Sequence, residues 1–485
     1  MIREMRYVFP HHPWSARFHA VGMTFLVTLA GCAHYQPRPI DPAATAAQWQ
    51  TRRLDDPALA ERLRPLLRET QLAWPPSRYG RGELLLAALA LNPDLAEARA
   101  HLAEADAAVR TAKALPNPSI SLALERYAQD QAGSSPWLWG VTTNWLLDTA
   151  LRRRLRTDLA DAGVRAARLD YAEKVWDVRR TLRAALADVL LGEHQRVLAD
   201  DTVSKAGGLQ AALEQRRALG EAMPAEVLQA GSTVAQARQA SAAAAQRVAD
   251  ARARLARAVG VPMHALDGVA FAWDDLESPV SVEPARIDDL AARARLSRTD
   301  LERALTDYAS RETELRQQVR MQYPQLSLGP GYTYDHGVRK LQFNLGATLP
   351  LFDQNQGPIA EAEARRAAAG RHVEAVQAGI DSEIAGATAK LAAARDALTA
   401  AGHGRDAAER LQRQVEAGHA QGEDDRVAVL NAQLVSIAAA QARLAAADQA
   451  QQAFGALEDA VRTPLEGNEA ELLHAAGPSH VGDTK

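Results

Sequence analysis

The chain has 485 residues, 47% of them apolar but only 5% aromatic, and much of the apolar share is alanine in long runs, which packs thin helices closely and does not fill the thick cores of ordinary globular domains. Its formal charge of −4, with no basic block standing out, argues against a nucleic-acid partner. A single cysteine excludes an intramolecular disulfide, and no Cys/His cluster has zinc-ligand spacing.

Residues 1–31 read as an export signal. Arg3, Arg6 and Arg17 precede an apolar run over residues 20–30 that is too short to cross a bilayer as a helix but matches a signal-peptide core, and the long stretch before it leaves room for a start at Met5 or later. The run ends Leu29-Ala30-Gly31-Cys32, which resembles the lipobox of bacterial lipoproteins, where small residues precede a cysteine that is diacylated and becomes the mature N-terminus. The resemblance makes Cys32 the lipid-attachment residue; the competing reading is a stray or buried cysteine after an ordinary signal core. Ala33 stands where enteric lipoproteins retained at the inner membrane commonly carry Asp, which favours the outer membrane. Residues 32–82 are rich in Pro, Asp and Arg (Pro37-Arg38-Pro39, Asp55-Asp56-Pro57, Trp74-Pro75-Pro76). They are expected to form an extended periplasmic leader with one short helix around 57–69, laid against the outside of something larger.

The body is an internal duplication. Residues 94–122 match residues 300–328 at an offset of 206, with Asp94, Pro118 and Ser121 answering Asp300, Pro324 and Ser327. The offset becomes 205 where Leu147-Asp148 answers Phe352-Asp353, and 202 where Gly220-Glu221 answers Gly422-Glu423. A unit of this size is too long for a solenoid repeat, so the chain divides into a first repeat at 83–260, a linker at 261–290, a second repeat at 291–465 and a tail at 466–485.

Each repeat opens with a helix. Asn92-Pro93 starts the first and Pro116 ends it, and Leu95, Ala98, Leu102, Ala105, Val109 and Ala112 form a narrow heptad seam that Leu301, Leu305, Tyr308, Leu315 and Val319 approximate around Glu312. Two strands follow in each repeat. Ile120, Leu122 and Leu124, then Trp137, Trp139, Val141, Trp145 and Leu147, alternate with small polar residues; Leu326, Leu328, Tyr332 and Tyr334, then Leu341, Phe343, Leu345, Ala347 and Leu349, do so more cleanly. The segments have the length of tilted transmembrane strands, about nine to eleven residues. Residues 118–148 and 323–353 hold nine of the 24 aromatics, three times their share by length, which suggests interfacial belts at Trp137, Trp139, Tyr332 and Tyr334. The alternative is two half-buried hairpins packed on helices in a soluble domain. Asp148 and Asp353, where strand turns to helix, have N-capping as their expected task.

Long helices complete each repeat. No proline falls between Pro136 and Pro224 or between Pro358 and Pro464, and residues 149–219 suffice for one helix of roughly 105 Å. Such Ala/Arg/Glu/Gln helices must associate through narrow seams. They reverse at two turns, 220–224 and 418–422, the second followed by Glu423, Asp424 and Asp425. That acidic trio either favours a helix N-terminus through its dipole or, repeated by symmetry around a pore, forms a cation-selecting ring. Four transmembrane strands cannot close, and a lipid-exposed edge is prohibitive, so several copies must share one barrel; the count permits two, three or more.

The lipobox, the duplicated helix-strand-strand-helix plan, the run Leu349-Pro350-Leu351-Phe352-Asp353-Gln354-Asn355-Gln356-Gly357 and the Gly-centred turns before Leu228-Gln229-Ala230 and Leu430-Asn431-Ala432 together resemble the TolC family of outer-membrane efflux proteins, over residues 32–465. The Leu-Phe-Asp turn with Asn-Gln-Gly is most similar to the branch serving heavy-metal resistance pumps. The resemblance implies a mainly α fold with a transmembrane β-barrel portion: a homotrimer with twelve strands in outer-membrane lipid, continued by a long periplasmic α-helical barrel. It implies the exit duct of a tripartite efflux system, docked to a periplasmic adaptor protein and an inner-membrane transporter, for which the RND type is one candidate. Gly220, Glu221, Gly418 and Gly422 would then lie at the periplasmic tip that meets the adaptor, with Asp424 and Asp425 as candidate pore charges. The runner-up, a periplasmic adaptor lipoprotein, would carry one helical hairpin between glycine-rich soluble β-domains. No Gly-x-Ser-x-Gly, His-Glu-x-x-His or phosphate loop points to catalysis or a cofactor, and Met223, Met263 and Met321 form no metal cluster. Metal cations, drugs and secreted polypeptides all remain compatible as cargo.

Overall fold

The structure, a computed structural model, describes residues 35–70, 73–128, 135–148 and 151–475. The expected signal and Cys32 lie outside the described residues. The chain forms two compact units, residues 1–51 and 52–485. The described part of the first holds one helix, α1 (Pro42–Gln50), which the leader was not expected to contain. Its start signal is Asp41-Pro42: the Asp41 side chain accepts from the Ala43 N–H at 2.9 Å and proline occupies the first turn, where its missing N–H costs nothing.

The second unit begins with the expected short helix, α2 (Pro57–Thr70), followed by an unexpected one, α3 (Arg81–Leu91). Helix α3 shows no amphipathic period because it is enclosed: every residue from Leu84 to Leu89 is buried. Asn92 then caps α4 (Pro93–Lys113), accepting from the Asp94 and Leu95 N–H groups at 2.9 and 3.2 Å. The heptad seam of α4 is inward as expected, with Leu95, Leu102 and Ala112 buried.

The long helices are α5 (Arg152–Ala218, 67 residues) and α9 (Gln356–Gln421, 66 residues), each returning through a 36-residue partner, α6 (Pro224–Val259) and α10 (Arg426–Val461). Between the repeats lie a 3-10 turn, Met263–Leu266, and helix α7 (Pro284–Ser297). This linker is more than turns. Leu266, Phe271 and Leu276 are buried, and Tyr79 pairs with the strand-like stretch around Phe271 through its N–H to Ala270 O (2.8 Å) and its carbonyl to Ala272 N–H (3.1 Å). The first core cluster joins α2, α3, α4, α5, α6 and this linker; a second joins α7, α9, α10 and α8 (Thr299–Arg320).

The seam expected on α8 is corrected. Leu301, Ala304 and Leu315 are buried, while Leu305, Tyr308 and Val319 are exposed. Glu312, the residue that broke the pattern, bridges Arg316 on its own helix and Arg366 on α9, so the inward face is rotated away from the apparent heptad. The duplication holds at a finer level. Asn92 Nδ2 donates to Ala258 O (2.8 Å), and Arg298, 206 residues later, donates from Nη1 to Ala460 O (2.9 Å), so one side chain before each opening helix holds the end of each returning helix.

The C-terminal helix α11 (Glu469–Ala475) is tied in by buried charge. Arg179 of α5 is fully buried and donates from Nη2 to Glu458 Oε2 (2.8 Å) on α10 and to Glu469 Oε2 (2.7 Å) on α11. Burial pushes its guanidinium down, but the two carboxylates outweigh this and raise it. Trp176 lies against Arg179, its ring centroid 5.0 Å from the guanidinium carbon, and Arg183 reaches the same Glu458 at 3.1 Å. Arg81 pairs with Glu466, whose carboxyl burial pushes up.

The four strands β1 (Ser119–Arg126), β2 (Trp137–Leu147), β3 (Gln325–Asp335) and β4 (Val338–Thr348) form one antiparallel sheet in chain order. Its middle pair, β2 with β3, joins the two repeats, and among the described residues the outer sides of β1 and β4 have no partner strand.

Candidate functional site

Register assigns the faces of the sheet. Leu122, Val141, Tyr332 and Leu341 are neighbours on one face; Ser121, Thr142, Gly331 and Gln342 are neighbours on the other. The apolar face is not packed on the helices. Ile120, Leu122 and Leu124 are 69%, 78% and 71% exposed, and Leu341, Phe343 and Leu345 are 76%, 76% and 71% exposed. A soluble hairpin would bury this face; a strand in lipid would present it. The eleven-residue strands run roughly 36 Å and, tilted by about 40°, span a band of about 27 Å, the height of a transmembrane barrel.

The polar face is crowded instead. A Cβ added to Gly331 would meet Thr142 Cγ2 at 2.7 Å, one on Gly140 would meet Thr333 Oγ1 at 2.9 Å, and one on Gly346 would meet Ser327 Oγ at 2.6 Å. Glycine is required at these three positions because any side chain there would collide with its cross-strand neighbour. Trp139 packs on Tyr332 and Tyr334 with centroids 5.5 and 6.0 Å apart near the hairpin end of the apolar face, and Trp145 marks the helix end.

Below the sheet the strand-to-helix junctions differ. Asp148 caps as expected, its two oxygens accepting from the Arg152 and Arg153 N–H groups at 2.9 and 3.1 Å. Asp353 does not cap: it accepts only from the Asn355 N–H, and Asn355, in a left-handed conformation, stands immediately before α9 and donates from Nδ2 to Gln318 O. Asp353 stands one residue nearer its helix than Asp148 does, three positions before the first residue of α9 against four before that of α5.

At the far end, the two turns are built alike. Gly220 and Gly422 adopt φ of +79° and +80°, and the following Glu221 and Glu423 donate their N–H groups to Arg216 O (2.8 Å) and Gly418 O (2.9 Å), closing both long helices with Schellman bonds. Gly220 and Gly422 thus occupy equivalent positions in two equivalent turns, Glu221 is the counterpart of Glu423, and Gly418 is the counterpart of Arg216. Gly418 has its own reason to lack a side chain, because a Cβ there would overlap the Asp424 carboxylate folded over it. Asp425 caps α10, accepting from the Ala428 N–H at 2.7 Å, and its other oxygen pairs with Arg216 Nη1 at 2.7 Å. Arg216 was not legible as a tip residue, since a lone arginine near the end of an Arg-rich helix carries no signal. Its pairing with Asp425 ties the first turn to the second. Nearby, the Gln433 amide of α10 and the Gln412 amide of α9 donate to Glu416 Oε1 on α9 and hold its carboxyl below the usual range. The first tip exposes Leu219, Met223 and Leu228; the second exposes acid at Glu423.

The chain matches the family described as outer membrane efflux protein over residues 84–261 and 290–461. Its fold is similar to that of VceC from Vibrio cholerae (17% identity, 80% of this chain and 97% of that one, TM-score 0.65), of CusC (18%, 81% and 95%, 0.62) and of the open state of the MtrE outer membrane channel from Neisseria gonorrhoeae (18%, 80% and 89%, 0.63). No curated protein matches the chain.

Proposed function

The chain belongs to the outer membrane efflux protein family and is an outer-membrane exit duct, and on that premise we propose that it works as a lipid-anchored homotrimer docked to a periplasmic adaptor and an inner-membrane transporter. The observation that carries the assembly is a four-stranded sheet with two unpaired sides and an exposed apolar face: three copies supply twelve strands and leave no edge in lipid. The same observation disfavours an adaptor. In this reading residues 1–31 are the removed signal, 32–82 the leader, 83–260 and 291–465 the repeats, 261–290 the linker and 466–485 the tail, with Cys32 acylated. Fractionating membranes from cells fed labelled palmitate tests it. The mature chain is expected in the outer membrane, labelled and trimeric, and Cys32→Ala is expected to lose the label while keeping some insertion through its strands. A soluble periplasmic monomer would sink the proposal.

The tip turns at Gly220, Glu221, Gly418 and Gly422 are the proposed adaptor contact, supported by the exposed Leu219, Met223 and Leu228 beside them. The heavy-metal branch is supported by the Leu351-Phe352-Asp353 turn with the following Asn355-Gln356-Gly357, and the transporter sets the cargo. Asp424 and Asp425 are proposed as a ring of charge where the tips converge. Asp425 also caps a helix, a role worth about 1 kcal/mol, so the cleaner test is Asp424→Ala. In planar bilayers it is expected to lower cation preference with trimers intact, and Asp424→Ala with Asp425→Ala to lower it further. Unchanged selectivity in both leaves the acids only capping and ion pairing.

A further inference from the structure

The two repeats present different helix ends to the base of the sheet. In the first, α5 opens Arg152-Arg153-Arg154-Leu155-Arg156 with no acidic residue in its first turn, although the positive end of a helix dipole disfavours cations. Two of these arginines have structural work: Arg152 donates to Tyr323 O (3.0 Å), and Arg156 to Ala112 O (2.9 Å) and Ala114 O (2.8 Å) at the end of α4. Those bonds bring Arg110 and Lys113, in the last turn of α4, to the same level. Arg153 and Arg154 have no such work. Both are exposed, and among the described residues no carboxylate bridges them, Arg110 or Lys113.

The duplication supplies an internal control. At the offset of 205, the positions of Arg153, Arg154 and Arg156 are held by Pro358, Ile359 and Glu361, and α9 is only one residue shorter than α5. The fold does not need charge at Arg153 and Arg154. The cluster begins five residues beyond Leu147, where the exposed apolar face ends, and the same level carries exposed Leu351 and Phe352. That is the depth of lipid headgroups on the helix side of the sheet.

We propose that this basic end of the first repeat, with Arg153 and Arg154 at its centre, binds the phosphate headgroups of anionic phospholipid in the periplasmic leaflet of the outer membrane. It rests on the outer-membrane reading above and adds a lipid preference that reading does not contain. Cations next to a membrane-spanning segment gain roughly fivefold each in binding an anionic surface, and the gain is screened by salt.

Purified channel is titrated in detergent with short-chain phosphatidylglycerol and with the matching phosphatidylcholine, following the temperature at which the oligomer dissociates. Phosphatidylglycerol is expected to raise that temperature at lower concentration, and the difference to shrink as salt is added. Arg153→Gln with Arg154→Gln is expected to need at least roughly tenfold more phosphatidylglycerol, while Arg153→Lys with Arg154→Lys keeps the preference. Conductance in a neutral planar bilayer is expected to be equal for all three proteins. A wild-type channel indifferent to headgroup, or a glutamine variant that retains the preference, overturns the proposal; so does a glutamine variant with altered conductance and unaltered lipid preference, which puts the cations in the duct. A wild-type protein that neither inserts nor conducts overturns the channel reading instead.

Discussion

Phe343→Arg is expected to block assembly in the outer membrane, whereas Asn344→Arg, one residue along the same strand, is expected to assemble and alter conductance. Phe343 sits in the middle of β4 on the apolar face, opposite Pro330, and is 76% exposed. An arginine near the bilayer midplane costs about 2 to 4 kcal/mol in each copy, and three copies incur it together. Asn344 points to the polar face, opposite Gly329, away from the exposed apolar side. Oligomer bands from outer membranes run without boiling, and single-channel recordings of whatever assembles, distinguish the two. Similar effects at both positions would mean that neither face meets lipid.

The second large effect is expected at Arg179→Met. The substitution removes the cation between Glu458 and Glu469, both fully buried, and takes away the ion-pair partner of Glu469 while Glu458 keeps Arg183. Breaking a buried pair from one side costs about 3 to 5 kcal/mol, a large part of the 5 to 15 kcal/mol that holds an ordinary domain together. Adding Glu469→Gln should restore part of the stability. Thermal melting together with proteolysis around residue 466 reads the effect, and a variant as resistant as wild type would show that the network is not what holds α11.

The sequence made the periodic parts legible. Strand alternation gave both faces of the sheet, the proline-free spans gave the long helices, and the matched glycines gave two turns that the structure shows to be bonded alike. What it hid is what has no period or depends on a distant partner. Helix α3 is apolar on all sides, so no face could be read. The seam of α8 was misassigned because Glu312, which looked like a fault in a heptad, is paired across to α9. Asp353 shares the position of Asp148 in the repeat but not its bonds, because it stands one residue nearer its helix and accepts from the Asn355 N–H instead. Arg179, Glu458 and Glu469 meet only after the chain has returned along two long helices. The arginines at the start of α5 were concealed by bookkeeping: a net charge of −4 averages over acids that lie far from them.

The 67-residue helix α5 is also a lever. With its upper end fixed at the sheet and its middle gripped by the core, about 50 Å of helix separate that grip from the turn at Gly220, so a tilt of this lower half by about 3° would carry the turn about 2.5 Å sideways. Little at the far end resists it. The tie between the two turns is one exposed ion pair, Arg216 with Asp425, of a kind worth about 0 to 1 kcal/mol. Mechanical stiffness is therefore concentrated in the grip at mid-height, and the tips are the compliant end, where a docked partner needs little force to set the aperture.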